Sequence, residues 1–368
     1  MVARVRLIPW GGVVDPSRVL GSRRVWERRD GFLLLLEDAS GATGAGEATP
    51  LPGLSKETVE DAGRALAQID WSRLDPKRVL DGGPVGGHAS QLPPSARFAL
   101  ETACADLTGA LMRTPTAQLL APFGRAQPMV IVNTLLGHVR SADLVERARE
   151  ALRRGAAAVK VKLAGRDIDA ELKALRQVRD EIGPSVRLRT DLGGALAAPE
   201  AARWLAGMAN VGVEAVEEPC PAAELPSLPR GPVPWLADES LASGPFREEI
   251  LRSRGCAGVV LKPTLLGGLR TCLELARRAR ETDKSVTITH AFEGPVGLAA
   301  CGALALAGGA DLAGLDEHGA LSAFAPWKSA MFSAEPPLAV RATPHAGLAL
   351  FATSHRAESL DGTDLWRR

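Results

Sequence analysis

Six residues in the middle of this chain have the types and spacing of a catalytic centre: Lys160, Lys162, Asp191, Glu217, Asp238 and Lys262. The first two lie in Val159-Lys160-Val161-Lys162-Leu163. Side chains two apart on a strand share a face. Val159, Val161 and Leu163 would therefore pack outward while both lysines project into whatever the strand encloses. Burying two unpaired ammonium groups is very costly, so negative charge must face them.

Asp191, Glu217 and Asp238 end three successive short apolar runs and supply that charge. Three carboxylates make a hard oxygen set suited to one Mg²⁺ rather than to a softer metal. One Mg²⁺ and three carboxylates leave a single negative charge, and charged Lys160 and Lys262 with a neutral Lys162 turn the site positive. Such a site favours a small anionic carboxylate substrate and acidifies the proton next to its carboxylate. A lysine can take that proton once neighbouring cations and partial desolvation bring its pKa toward neutrality.

These residues work together only if an architecture gathers them. From Met129 the chain alternates short β-branched or apolar runs with amphipathic helical segments. Strands are expected near Val130 to Thr134, Ala158 to Leu163, Val186 to Asp191, Ala215 to Glu218, Pro234 to Asp238, Gly258 to Lys262, Val286 to His290 and Leu312 to Asp316. Eight strands at the spacing of βα units predict an α/β fold, a TIM-like (β/α) barrel, whose strand ends face one catalytic mouth. The barrel is expected over residues 127–318.

Before it, residues 1–126 read as an α+β capping domain. Gly31 to Asp38 and Ala42 to Ala48 look like an antiparallel hairpin. Ser55 is expected to cap a helix from Lys56 to Ile69, with Glu57 in its first turn, and Ser95 to open a second. The Pro- and Ala-rich tail, 319–368, is expected to fold back and complete this domain. The segment from Gly11 to Arg24 reads either as a lid over the barrel mouth or as a plain surface loop.

Bulk properties exclude other classes. A length of 368 residues allows two domains or a barrel with additions, and 46% apolar content is that of a soluble globular protein. A net charge of +1 leaves no electrostatic footprint for nucleic acid. The run from Gly294 to Ala310 is too short to span a membrane and reads as a buried helix. Five irregularly spaced cysteines and no secretory leader point to reduced thiols and a cytoplasmic location. No feature specifies an oligomeric state, and no dinucleotide, Walker or nucleophile-elbow motif stands in a supporting context.

The six residues resemble the enolase superfamily, specifically its muconate-lactonizing branch, for which lysine bases and Mg²⁺ are general features. The matching stretches are K-x-K at Lys160 and Lys162, RTDLGG at Asp191, VEEP at Glu217, ADES at Asp238 and VVLKP at Lys262. GAGEATPLPGLSKET from Gly44 to Thr58, KPTLLGG, FEGPVGLA and GLD at Gly314 to Asp316 are similar to the o-succinylbenzoate synthases within it. The resemblance implies Mg²⁺-assisted syn dehydration of 2-succinyl-6-hydroxy-2,4-cyclohexadiene-1-carboxylate in menaquinone biosynthesis. Lys162 would be the base, Lys262 the stabiliser of the enediolate and Lys160 the electrostatic support, with Asp191, Glu217 and Asp238 on the metal. His290, Glu293 and Gly267 would be substrate-contact candidates. His290 reads either as a second acid/base group or as a neutral hydrogen-bonding residue. Gly193 stands where the family usually has Asn, which removes a supporting hydrogen bond or requires another donor. The alternative on the same scaffold is a dipeptide epimerase or N-acylamino acid racemase. Its usual paired-aspartate motif at strand eight is interrupted here by Asp316-Glu-His.

Overall fold

The computed structural model describes residues 2–13, 26–83, 92–316, 327–333, 335–352 and 362–367. In its central sheet eight parallel strands follow one another in chain order. They are Asn133–His138, Ala158–Lys162, Arg187–Asp191, Ala215–Glu217, Trp235–Ala237, Cys256–Leu261, Ser285–Thr289 and Leu312–Gly314. A parallel bridge between Val132 and Ala313 brings the two ends together, making a nearly closed barrel. Strands two and six therefore face each other across it.

Alternation does in this barrel what it does in any two-faced strand. Val159 and Val161 are fully buried on the outer face, beneath the surrounding helices, with Leu163 just beyond the strand. Lys160 and Lys162 are left partly exposed. The helices Leu144–Arg153, Ile168–Ile182 and Leu269–Arg280 are strongly amphipathic, as one-sided packing requires. By contrast Pro295–Ala307 is buried at every position, which accounts for its apolar run. Among the described residues no helix is long and apolar enough to cross a membrane. All five cysteines are buried and unpaired.

The first barrel strand differs from the sequence expectation of Val130 to Thr134. Met129–Ile131 instead pairs with Ala339–Arg341 in a separate small sheet, and the barrel strand begins at Asn133. Met129 to Val132 and Thr134 to Leu136 are both strand-forming, and periodicity does not say which of the two joins the barrel.

The cap is a four-stranded antiparallel sheet in which Val2–Val13 lies between Thr363–Arg367 and Arg28–Asp38, with Thr43–Ala48 outermost. Helix Pro94–Met112 packs on it unusually closely. A Cβ on Gly46 would stand 1.9 Å from Ala99 O, and one on Gly44 2.4 Å from Ala103 O, so only glycine permits this approach. Two expected helix starts are corrected. The first cap helix is Val59–Ala67, capped by Thr58 in a reciprocal pair with Asp61. Ser55 instead accepts from Leu51 N–H at 2.8 Å, and Glu57 accepts from Ser95 N–H at 2.9 Å. Ser95 consequently lies within the first turn of a helix that Pro94 opens. Gly11 to Val13 extend the first strand against Arg28 to Asp30. Residues 14–24 of the expected lid lie outside the described residues, as do 84–91.

Candidate active site

Parallel register sets Lys162, Asp191 and Glu217 side by side on strands two, three and four. Asp238 follows strand five and Lys262 follows strand six, on the far side of the mouth. Lys160 Nζ lies 2.7 Å from Glu217 Oε2 and 3.6 Å from Asp191 Oδ2, and Lys162 Nζ lies 3.4 Å from the same Asp191 oxygen. Lys262 Nζ bridges Asp238 at 2.7 Å and Glu239 at 2.6 Å. The fold thus brings all six residues to one end of the barrel.

Burial disfavours the charged forms of Asp191, Lys160 and Lys262, and attraction to their neighbours outweighs it. Burial would raise Asp191, but Lys162, Lys160 and Lys262 outweigh it and hold the carboxyl below the usual carboxylate range. Burial would lower Lys160, but Glu217, Asp191 and Asp238 keep it above the ordinary lysine range. Lys262 is likewise raised, its burial outweighed by Asp238 and Glu239. Asp238 goes the other way, pushed up by burial and by the Glu239 charge.

The donor set fits a hard divalent cation. Glu217 Oε1 and Asp238 Oδ1 are buried oxygens with no hydrogen-bond partner, an arrangement whose cost a coordinated cation removes. Among the described residues no three His, Cys, Asp or Glu side chains are gathered in a ready-made cage. The carboxylates are instead drawn to the lysines.

Two carboxylates escaped the sequence reading. Glu218 accepts hydrogen bonds from Asp238 N–H at 2.7 Å and from the Ser240 N–H and hydroxyl, bracing the strand-five end. Glu239 takes half of the Lys262 ammonium. The doubled acids in VEEP and ADES were the available signal. Where the family usually carries Asn, two residues after Asp191, Gly193 at φ +52° donates its backbone N–H to Asp191 Oδ1 at 3.0 Å.

Over the cluster lies a cavity of about 700 Å³. The three lysines and Asp191 reach it, while Glu217 and Asp238 lie behind Lys160 and Lys262. Its apolar side is made by Trp26, Leu51 and Leu54 from the cap and Phe292 from the barrel. His290 lines it too, with Nδ1 accepting from Phe292 N–H at 2.9 Å, which places the proton of the neutral ring on Nε2. Glu293 and Gly267 do not face it. Glu293 is fully buried against the Thr264 hydroxyl and Ala291 N–H, and Gly267 turns the chain at φ +98° after the short helix Pro263–Leu266.

Residues 143–340 match the family described as enolase C-terminal domain-like, and residues 5–107 match the MenC, N-terminal domain. The chain is 28% identical over 316 residues to the o-succinylbenzoate synthase of Desulfotalea psychrophila, covering 77% of this chain and 83% of that protein. It is 25% identical over 261 residues to the hydrophobic dipeptide epimerase of Enterococcus faecalis, covering 68% and 71%. The solved structure of an Enterococcus faecalis dipeptide epimerase with Mg and the dipeptide L-Leu-L-Tyr superposes with a TM-score of 0.80 at 21% identity, covering 95% of this chain and 99% of that one. A barrel match spanning more than half of the 368 residues, joined to a cap match of its own, places the chain in the enolase superfamily, and it is an enzyme.

Proposed function

We propose that the chain is a Mg²⁺-dependent o-succinylbenzoate synthase, a hydro-lyase that converts 2-succinyl-6-hydroxy-2,4-cyclohexadiene-1-carboxylate to o-succinylbenzoate and water, and that it serves menaquinone biosynthesis. The observation that carries this reading is the MenC-type cap, residues 5–107, whose Leu51 and Leu54 contribute to the cavity in which a substrate would sit.

Asp191, Glu217 and Asp238 would hold one Mg²⁺. When bound, the ion supplies electrophilic stabilisation of the substrate carboxylate as charge develops on it. Lys162, in its neutral form, removes the proton on the carbon bearing the carboxylate. Lys262, on the opposite side of the barrel, stabilises the enediolate charge. The C6–O bond then breaks, and the ammonium of Lys162, on the same face, returns its proton to the departing hydroxide. Water leaves and the ring becomes aromatic. Lys160 stays charged against Glu217 and keeps the site attractive to a dicarboxylate.

The relative and the solved neighbour named as dipeptide epimerases favour a second reading, because epimerisation starts from the same proton abstraction. Lys162 and Lys262 would then act from opposite faces. The pairing of Asp316 with Arg154 at 2.9 Å on the cavity side supports the dicarboxylate instead, since it sets an ion pair where a bare carboxylate would attract an amino group. The test is incubation with Mg²⁺ and the cyclohexadiene, following aromatisation by ultraviolet absorbance. No turnover, together with rapid α-deuterium exchange into dipeptides or N-succinylamino acids, would move the assignment to the racemase group.

A further inference from the structure

Behind the apolar side of the cavity sits a buried cation that the proton transfers do not use. Arg29, on cap strand Arg28–Asp38, is only 1% exposed. Its Nη1 donates to Pro50 O and its Nη2 to Thr49 O, both at 2.7 Å and both within the cap. The same Nη2 donates to Ala291 O at 3.2 Å, and Nε to Phe292 O at 3.1 Å, both in the barrel loop after strand seven. Burial lowers the guanidinium to about 10, with nearby Glu293 and Glu47 acting against that shift, so it remains charged at neutral pH. Glu47 in turn accepts from the N–H groups of Gly294 and Gly297, where the next helix begins.

The clamp joins the two sides of the cavity. Leu51 follows Pro50 directly, and Trp26 sets its ring 5.7 Å from that of Phe292. On the barrel side, His290, Ala291 and Phe292 line the same space. Phe292 holds φ at +59°, a strained conformation for a bulky residue that surrounding contacts must enforce. Its N–H donates to His290 Nδ1 at 2.9 Å.

We propose that Arg29 is a positioning residue for substrate recognition: by tying the Ala291 and Phe292 carbonyls to the cap, it holds Phe292 in its left-handed conformation and thereby sets the apolar wall and the His290 tautomer that the substrate meets. This rests on the reading that the cavity holds the substrate, whichever α-proton reaction follows. Only a planar fork serves carbonyls in two directions at once, so lysine keeps the charge and loses the clamp.

Arg29→Lys should raise KM at least about tenfold with kcat within about threefold, because the lysine–carboxylate cluster is untouched. A merely structural loss would instead lower kcat through the active fraction and leave KM alone. The second readout is ¹⁵N NMR of the imidazoles, with His290→Gln identifying the resonance. Wild type should show His290 as the single Nε2–H tautomer, and Arg29→Lys should mix the two tautomers. An unchanged KM or an unchanged His290 spectrum in the variant overturns the proposal. So does an Nδ1-protonated His290 in wild type, a measurement that stands even if the variant fails to fold. Wild-type protein inactive on the cyclohexadiene, N-succinylamino acids and dipeptides alike would defeat the functional reading instead, and the His290 spectrum would then decide on Arg29 alone.

Discussion

Lys162 Nζ stands 3.4 Å from Asp191 Oδ2, whereas Lys160, two residues earlier on the same strand, closes to 2.7 Å on Glu217. The tighter pair commits Lys160 to a fixed positive charge, and the looser one leaves Lys162 to act on a substrate. Lys162→Ala should lower kcat by about 10²–10⁴, the usual worth of a general base. Calorimetry should find Mg²⁺ binding intact. A variant keeping more than a tenth of wild-type turnover would remove Lys162 from the role of base.

The unpartnered oxygens of Glu217 and Asp238 make a separate prediction about the metal. Chelation should stop turnover and Mg²⁺ should restore it. The fold itself should survive chelation, because the lysines already pair with the carboxylates. Thermal unfolding should shift upward with Mg²⁺, by about 2.7 kcal/mol of stability at a hundredfold excess over Kd. Asp238→Asn, which removes one ligand charge, should lose most of that shift. An equal shift in the variant would place the ion elsewhere.

Much of this arrangement was legible because strand ends and carboxylates are both strong signals. Asp191, Glu217 and Asp238 each close a short apolar run, and period-two alternation alone orients Lys160 and Lys162. Local competition hid other features. Ser55 and Thr58 are comparable N-cap candidates, and what separated them was Asp61 three residues after Thr58, a reciprocal cap readable in the sequence. Glu293 sits beside a cavity residue in the chain, yet its strand-to-helix turn points it into the cap interface, a distinction no spacing rule carries. Arg29 was illegible for the same reason: its partners are main-chain carbonyls, two of them more than 260 residues away. A backbone donor such as the Gly193 N–H leaves no side-chain signature at all.

Glu47 gives the fold a pH dependence of predictable sign. Burial pushes its carboxyl from 4.5 up to about 7, against hydrogen bonds from Gly297, Thr49 and Gly294. Between those values the folded state holds a proton that the unfolded state has released. This contribution is therefore fully present below pH 4.5, is lost as pH rises to 7, and is constant above. It amounts to on the order of 3 kcal/mol for a fully buried group. Glu293, raised by burial beside it, works in the same direction. Depressed carboxyls such as Asp191 work in the opposite one, so the comparison must be between wild type and Glu47→Gln. Urea unfolding from pH 5 to pH 8 should show a larger loss of stability with rising pH in wild type than in the variant. Parallel curves would mean that Glu47 is ionised throughout.

Gly193 tests whether the backbone has taken over a side chain's duty at the metal site. Its φ of +52° is left-handed, and its N–H donates to Asp191 Oδ1 at 3.0 Å. An alanine there costs roughly 1–2 kcal/mol of backbone strain. The variant can relieve the strain by rotating the peptide, which withdraws the N–H from Asp191. Gly193→Ala should therefore weaken Mg²⁺ binding as well as stability. Asparagine tolerates the left-handed region, so Gly193→Asn should keep the conformation, the hydrogen bond and near-normal Mg²⁺ affinity. Calorimetric titration of both variants separates the possibilities. If asparagine weakens binding as much as alanine, the site depends on the open space at position 193. If alanine leaves binding unchanged, the Gly193 N–H has no part in holding Asp191.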